Sequence, residues 1–140
     1  MINIENVTCR FSKRTILENI SLEIQNHLCI LGANGSGKST LAKAITSLIP
    51  FVGSISIEGE KSEELSLKKR AKLLSYIPAK LEIYDTFMSV EEFVLLGRFA
   101  HKKSFFDYSK SDKTIAKESI KLLKIEYLKK HAISSLSSGE

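Results

Sequence analysis

Residues 32–40, with the sequence GANGSGKST, constrain the fold of this chain more than any other stretch. Residues 32–39 match the pattern G-x-x-x-x-G-K-[ST] at every fixed position. The apolar run LCIL precedes the loop, and STLAKAITSLI, with apolar residues at helical spacing, overlaps its end. A chance glycine-rich turn before a helix is the alternative, but the full pattern between a strand and a helix favours a phosphate-binding loop.

The loop's residue types suit a triphosphate. Glycines leave room for backbone N–H groups to curl around phosphate oxygens, and the following helix directs its positive end at the same anion. Lys38 would place a charge on the terminal phosphates, and Ser39 would offer a hydroxyl to Mg²⁺. The candidate nucleotide-binding residues here are Gly32, Ala33, Asn34, Gly35, Ser36, Gly37, Lys38, Ser39 and Thr40. The pattern alone does not separate kinases, GTPases, motor proteins and transport ATPases.

Hydrophobic periodicity divides the chain into an α/β part and a helical part. Alternation predicts strands in INIENVTCRF, TILENISLEI and VGSISIEG, and a short helix is predicted in LSLKKRAKLL. The run HLCILG is predicted to be a buried strand with Cys29 in the core, and LSYIP a short strand closed by Pro78. The helix after the phosphate loop is predicted to reach Pro50.

Two further helices are predicted from residue 86 onward. SVEEFVLLGR begins with Ser89 as N-cap, and SDKTIAKESIKLLKI is amphipathic. The region of Ser111 and Thr114 is predicted to cap the second of these helices. Its apolar face is predicted to comprise Ile115, Ile120, Leu122 and Leu123.

Composition narrows the class of protein. The 140 residues carry a net charge of +5, and their densest basic cluster, LKKRAK, is expected to be a solvated helix face, so no nucleic-acid partner is expected. Two cysteines make no disulfide framework, which fits a reducing, cytoplasmic compartment. The N-terminus lacks the pattern of a signal peptide, and no apolar run approaches the length of a membrane span.

The order of motifs resembles the nucleotide-binding subunit of ATP-binding cassette (ABC) transporters. The motifs are CRFSKRTILENISLEI, GANGSGKST, GSISIEG, LLSYIP and LSSGE, and they cover essentially the whole chain. The resemblance implies an α/β P-loop NTPase (ABC ATPase) core, incomplete, with an antiparallel β subdomain and a helical subdomain. It places the β subdomain and part of the core in residues 1–85 and the helical subdomain in residues 86–140.

The resemblance assigns two further sites. Phe11 falls where the family has an aromatic residue that stacks on adenine, and burial in the strand core is the alternative. LSSGE resembles the family signature, which contacts the γ-phosphate of ATP held by the opposite subunit of a dimer. Its residues are Leu136, Ser137, Ser138, Gly139 and Glu140, with Ser138 replacing the usual first glycine.

Several family features are missing from these residues. Ala79 stands where the family has a Gln that reaches Mg²⁺ and the attacking water, and a methyl group does neither. In the family, an Asp-Glu pair and a His follow the signature. The 140 residues contain neither motif, so no catalytic residue is assigned. We therefore expect these 140 residues alone to hydrolyse ATP very slowly or not at all and to be marginally stable. A fragment, a frameshift product and a domain cut from a longer protein all fit this expectation.

The stretch MSVEEFVLLGR and the polar loop after it resemble the importer branch for iron–siderophore complexes, haem and vitamin B12. This branch implies ATP and Mg²⁺ as cofactors, a membrane permease, a second ATP-binding subunit in a head-to-tail homodimer, and indirectly a solute-binding protein. It places the chain at the inner face of the cell membrane as a peripheral subunit. Two alternatives remain: a truncated, non-catalytic nucleotide-binding remnant or regulatory module, and a non-transport ABC protein acting on ribosomes or DNA.

Overall fold

The computed structural model describes residues 1–79, 87–102 and 107–137. The chain divides into two compact units, Met1–Tyr76 and Ile77–Glu140. Each unit is built around its own secondary structure.

The first unit contains a four-stranded antiparallel sheet with the strand order β2-β1-β3-β4. Its strands are β1 (Ile2–Phe11), β2 (Arg14–Ile24), β3 (Val52–Ile57) and β4 (Glu60–Lys61). A tight turn at Ser12, where φ is 52°, joins β1 to β2, and the hairpin register runs from Ile2 opposite Ile24 to Phe11 opposite Arg14. The three alternating segments predicted as strands are therefore strands.

Two helices accompany this sheet, α1 (Lys38–Ile45) and α2 (Leu67–Leu73). The helix α1 buries Leu41 and Ala44 among apolar side chains of the strands. Those side chains are Ile4, Val7, Cys9, Leu17 and Ile55. Because burial of apolar surface is the main force holding a helix to a sheet, this cluster holds α1 on the sheet.

The predictions for residues 28–31 and for the end of α1 are wrong. No strand forms at residues 28–31 or 74–78 within the described residues, and Cys29 is exposed rather than buried. A strand requires a neighbour for its backbone N–H and C=O groups, and no strand among the described residues pairs with these two runs. The helix α1 ends at Ile45, and Ser47 with φ of 53° interrupts the chain before Pro50.

The second unit is helical, with α3 (Val90–Leu96) and α4 (Lys110–Leu122) packed together. Short 3₁₀ turns lie at Phe99–His101, Glu126–Leu128 and Ile133–Ser135. Ser89 caps α3 as predicted, in a reciprocal capping box with Glu92. Within the described ranges, no helix is both long and apolar enough to cross a membrane.

The cap and the apolar face of α4 differ from the prediction. Ser109, rather than the region of Ser111 and Thr114, is the N-cap, because its Oγ accepts a hydrogen bond from the Asp112 N–H at 3.1 Å. Leu122 is 82% exposed and Leu123 is 66% exposed, so neither belongs to the buried face. The buried residues of α4 are Asp112, Ala116 and Ile120.

Residues 129–133 lie against the start of α3. The His131 carbonyl accepts from the Val90 N–H at 3.1 Å, and the Ile133 N–H donates to the Met88 carbonyl at 2.8 Å. These backbone bonds fix the segment that leads to Leu136 and Ser137.

Candidate functional site

The phosphate loop lies in the first unit and ends at the N-terminus of α1. Gly37 is the N-cap, with φ of 95° and ψ of 2°, and no side chain caps the helix. The first intrahelical bond runs from the Leu41 N–H to the Gly37 carbonyl at 2.9 Å. The amides of the first turn therefore have no intrahelical acceptor, and together with the helix dipole they favour an anion at this end.

Only glycine fits at position 37. A Cβ atom there would lie 2.7 Å from Leu17 Cδ2 and 3.3 Å from the Ile16 carbonyl oxygen. The backbone conformation with φ of 95° is one that residues with a side chain rarely adopt. The loop therefore packs directly on β2, which sets its position on the sheet.

Lys38 forms hydrogen bonds to the backbone of the loop in which it lies. Its Nζ donates hydrogen bonds to the carbonyl oxygens of Gly32 and Ala33, each at 2.7 Å. An ammonium group has three N–H donors, so one donor of Lys38 remains for a ligand. The side chain thus holds the start of the loop in a curve and keeps its positive charge inside that curve.

The loop residues fit a nucleotide triphosphate with its metal. Most of residues 32–40 are exposed, with only Gly37, Lys38 and Thr40 partly buried. The Ser39 hydroxyl is exposed and has no hydrogen-bond partner among the described residues. A single hydroxyl ligand suits Mg²⁺, which keeps several of its waters and takes its other oxygens from phosphates.

Phe11 lies at the end of β1, opposite Arg14 and in the same unit as the loop. Its side chain is 49% exposed and does not belong to the core cluster of the sheet. An exposed ring can stack on a planar base, so the geometry is compatible with the predicted adenine contact. The stacking itself stays a prediction.

The other predicted site residues lie in the second unit. Leu136 is partly buried after the last 3₁₀ turn, and Ser137 is exposed. Ser138, Gly139 and Glu140 lie outside the described residues. Ala79 is exposed and has only a methyl side chain, so it supplies no metal ligand. The described geometry of the site therefore consists of the loop and Phe11.

The sequence patterns did not identify the side chains on which the loop packs. Ile16 and Leu17 touch the position where Gly37 would carry a side chain, although both precede it by about twenty residues. The alternation along β2 comprises Ile16, Ile20, Leu22 and Ile24, so it gave no sign that Leu17, in the opposite phase, is buried. Their proximity to Gly37 depends on the docking of α1 on the sheet, which no local pattern encodes.

The chain is similar in sequence to known proteins of one family. The sequence profile of the family described as "ABC transporter" matches residues 17–140. A manganese transport system ATP-binding protein of Halalkalibacterium halodurans is 31% identical over 143 aligned positions, which cover 100% of this chain and 55% of that protein. The "Probable iron chelatin transport ATP-binding protein" of Helicobacter pylori is 31% identical, over 100% of this chain and 56% of its own length.

The fold also matches a solved structure. A dimeric bacterial ABC transporter cassette superposes with a TM-score of 0.78 at 23% identity, over 99% of this chain and 64% of the cassette. The chain thus spans about half the length of the curated relatives it matches.

Proposed function

Because the chain belongs to the ABC transporter family, we propose that it binds ATP and forms part of a subunit that couples ATP binding and hydrolysis to solute import through a membrane permease. The expected α/β P-loop fold of the ABC ATPase type, with an antiparallel β subdomain and a helical part, is confirmed. The activity, cargo and partners of the whole protein are proposals.

One observation carries the proposal for ATP: the charge of Lys38 lies inside a loop that ends on an uncapped helix N-terminus. The Lys38 Nζ is 2.7 Å from two loop carbonyls, and Gly37 allows the loop to pack on Leu17. Backbone amides, helix dipole and ammonium all favour the same anion. When bound, Mg²⁺ would supply charge neutralisation between the phosphates, with Ser39 as its ligand from this chain.

The relatives support a metal or metal-chelate cargo. One relative is named for manganese transport and the other for transport of an iron chelatin. We therefore propose an iron–siderophore type of solute, a permease that carries it, and a solute-binding protein that delivers it. A head-to-tail pair of ATP-binding subunits at the inner face of the membrane follows from the same proposal, since a solved relative is a dimeric cassette.

A non-catalytic nucleotide-binding module is the second candidate. Ala79 favours it, because its exposed methyl group replaces the Gln that the family uses beside Mg²⁺. Turnover of Mg-ATP separates the candidates. A subunit that hydrolyses ATP releases phosphate repeatedly, whereas a non-catalytic module binds ATP without release.

The experiment that tests ATP binding compares two lysines of one helix. Lys38→Ala removes the charge within the loop, while Lys43→Ala removes an exposed charge from the same helix. We expect a calorimetric titration with Mg-ATP to show at least about a 100-fold weaker affinity for Lys38→Ala, because charge-assisted bonds to phosphate are lost. Lys43→Ala should bind as the unaltered chain does. Equal affinities for Lys38→Ala and the unaltered chain would refute the assignment of the loop.

A further inference from the structure

The turn at the centre of the phosphate loop contains the dipeptide Asn34-Gly35. The Ser36 N–H donates to the Ala33 carbonyl at 3.2 Å, and Gly35 has φ of 80°. A bond from the fourth residue of a turn to the first, with a positive φ at the third residue, is the geometry of a type II turn. Asn34 and Gly35 are its two central residues, and both are exposed.

Neither central residue is held in place by a hydrogen bond. In the described part of the chain, the Asn34 side chain and the Gly35 N–H have no partner. A Cβ atom built on Gly35 would meet no atom within 4 Å, so nothing packs against that side of the turn. The peptide between the two residues can therefore rotate at little cost, which brings the Gly35 nitrogen to the carbonyl carbon of the Asn34 side chain.

The other four asparagines of the chain lack this combination. Three of them lie in β1 or β2, form side-chain hydrogen bonds and precede a β-branched residue, whose branched Cβ shields its own backbone nitrogen. These three are Asn3, Asn6 and Asn19. Asn26 is exposed, as Asn34 is, but the bulky His27 follows it.

We propose that Asn34 is a site of spontaneous deamidation, and that the carboxylate produced there weakens anion binding by the loop. The deprotonated Gly35 nitrogen forms a bond to Cγ of Asn34, and the Cγ–Nδ2 bond breaks. Nδ2 leaves as ammonia, which takes up the proton that the Gly35 nitrogen has lost. Water then opens the cyclic imide at either carbonyl and gives aspartate or isoaspartate, with no oxidation or reduction.

The surroundings of the turn favour this reaction. Attack by an amide nitrogen passes through an anionic intermediate, and the loop is suited to stabilise negative charge. The Lys38 Nζ lies 2.7 Å from two loop carbonyl oxygens, and the N-terminus of α1 has no side-chain cap. The ammonium group and the helix dipole therefore lower the free energy of the intermediate, as they would that of a bound phosphate.

The product places a negative charge where the loop is proposed to hold phosphate. An aspartate at position 34 repels the phosphates, and an isoaspartate also adds a main-chain atom that displaces the amides of the loop. This consequence rests on the proposed function, whereas the reaction itself does not. Bound Mg-ATP should slow the reaction, because a Gly35 N–H that donates to phosphate is not available for attack.

The reaction is measured on the full 140-residue chain, kept in mildly alkaline buffer with and without saturating Mg-ATP. Trypsin releases residues 15–38 as one peptide, which contains Asn19, Asn26 and Asn34, so tandem mass spectrometry compares the three sites in one sample. Without nucleotide, we expect Asn34 to convert at least about tenfold faster than Asn26, because glycine leaves the attacking nitrogen unshielded. Gly35→Ala should slow the conversion of Asn34 by a similar factor.

The consequence is measured by titrating Mg-ATP into Asn34→Asp and Asn26→Asp. Both substitutions lower the net charge of +5 equally, but only the first places the new charge in the loop. We expect about a tenfold weaker affinity for Asn34→Asp, from repulsion between charges a few ångströms apart. Asn26→Asp should bind as the unaltered chain does.

Several results would overturn the inference. Conversion of Asn34 no faster than that of Asn26, or unslowed conversion in Gly35→Ala, would refute the reaction. Equal affinities of the two aspartate variants, or equal rates with and without Mg-ATP, would refute its link to anion binding. If the freshly prepared chain does not bind Mg-ATP, the proposed function fails, whereas rapid conversion of Asn34 in the same sample would still establish the reaction.

Discussion

The Nε atom of Arg98 donates a hydrogen bond to Oδ1 of Asp112 at 3.1 Å and thereby joins the end of α3 to the first turn of α4. The Asp112 side chain is 7% exposed and that of Arg98 is 21% exposed, so water screens this pair only partly. The other carboxylate oxygen of Asp112 accepts from the N–H and the hydroxyl of Ser109, at 3.2 and 2.6 Å. One carboxylate therefore serves both the helix cap and the packing of two helices.

Asp112→Asn should destabilise the helical unit. The amide keeps one acceptor but loses the charge that holds Arg98 and the Ser109 cap, a change worth about 1–2 kcal/mol. Urea unfolding followed by helical circular dichroism measures the loss. Asp107→Asn makes the same charge change at an exposed site and should shift stability by less than about 0.5 kcal/mol. Equal effects of the two substitutions would contradict the role given to Asp112.

The stability of the same unit should fall in acid. The Ser109 hydroxyl chiefly lowers the pKa of Asp112, with Arg98 and the Ser109 N–H adding to the shift and burial opposing it. Because the folded pKa lies below the unfolded one, the stabilisation is complete above the unfolded value of about 3.9 and is lost as pH falls through the folded value. Asp112→Asn should unfold with a flatter pH dependence between about pH 5 and 2. If Asp112→Asn loses stability in acid as steeply as the unaltered chain does, other carboxylates account for the pH dependence.

Two glycines of the phosphate loop should respond differently to alanine. Gly37→Ala places a Cβ 2.7 Å from Leu17 in a left-handed conformation, so we expect a loss of more than about 2 kcal/mol and much weaker Mg-ATP binding. Gly35→Ala shares the positive φ, at 80°, but meets no atom within 4 Å. It should cost only about 1 kcal/mol. Urea midpoints and nucleotide titrations that fail to separate the variants would mean that the loop is not packed on β2.

Phe11→Ala should weaken ATP binding but spare inorganic triphosphate. Its half-exposed ring can lie against adenine and not against phosphate, and base–aromatic stacking is worth about 1–3 kcal/mol. Competition between each ligand and a fluorescent nucleotide measures both affinities. Phe99→Ala, which removes an exposed ring from the second unit, is the matched control. An equal loss for ATP and triphosphate would contradict stacking and indicate a structural role for Phe11.

The two cysteines should react at very different rates. Cys29 is exposed, whereas Cys9 is 1% exposed in the sheet core and burial raises its pKa. Thiolate is the reactive form, so Cys9 should react with a maleimide only when the sheet opens. We expect one rapid label in the unaltered chain, one in Cys9→Ser and none in Cys29→Ser. Rapid labelling of Cys29→Ser, or slow labelling of Cys9→Ser, would contradict the described placement.

Local patterns predicted the elements whose stability is local. Alternation located β1, β2 and β3 because the three strands are neighbours in a sheet that buries one face. Ser89 was recognisable as the cap of α3 because a capping box is complete within four residues. The same reasoning chose the wrong cap for α4, since serines at 109 and 111 both precede apolar periodicity, and the bonds to Asp112 and Arg98 decide between them.

The run at residues 28–31 shows where pattern reasoning fails. Its apolar composition predicted a buried strand, yet Leu31 is 88% exposed and Cys29 is exposed. An apolar composition indicates that a segment is suited to burial, but burial requires packing partners from elsewhere in the chain. The described residues supply no pairing strand here.

The phosphate loop could be recognised in the sequence, because its residue types and spacing form a pattern that is complete within eight positions of the chain. The packing of Gly37 on Leu17 and the hydrogen bonds from Lys38 to the carbonyls of Gly32 and Ala33 could be found only in the folded chain. These relationships depend on where the helices dock. Docking follows from the packing of many side chains distant in sequence, so it is a property of the whole unit and of no single motif.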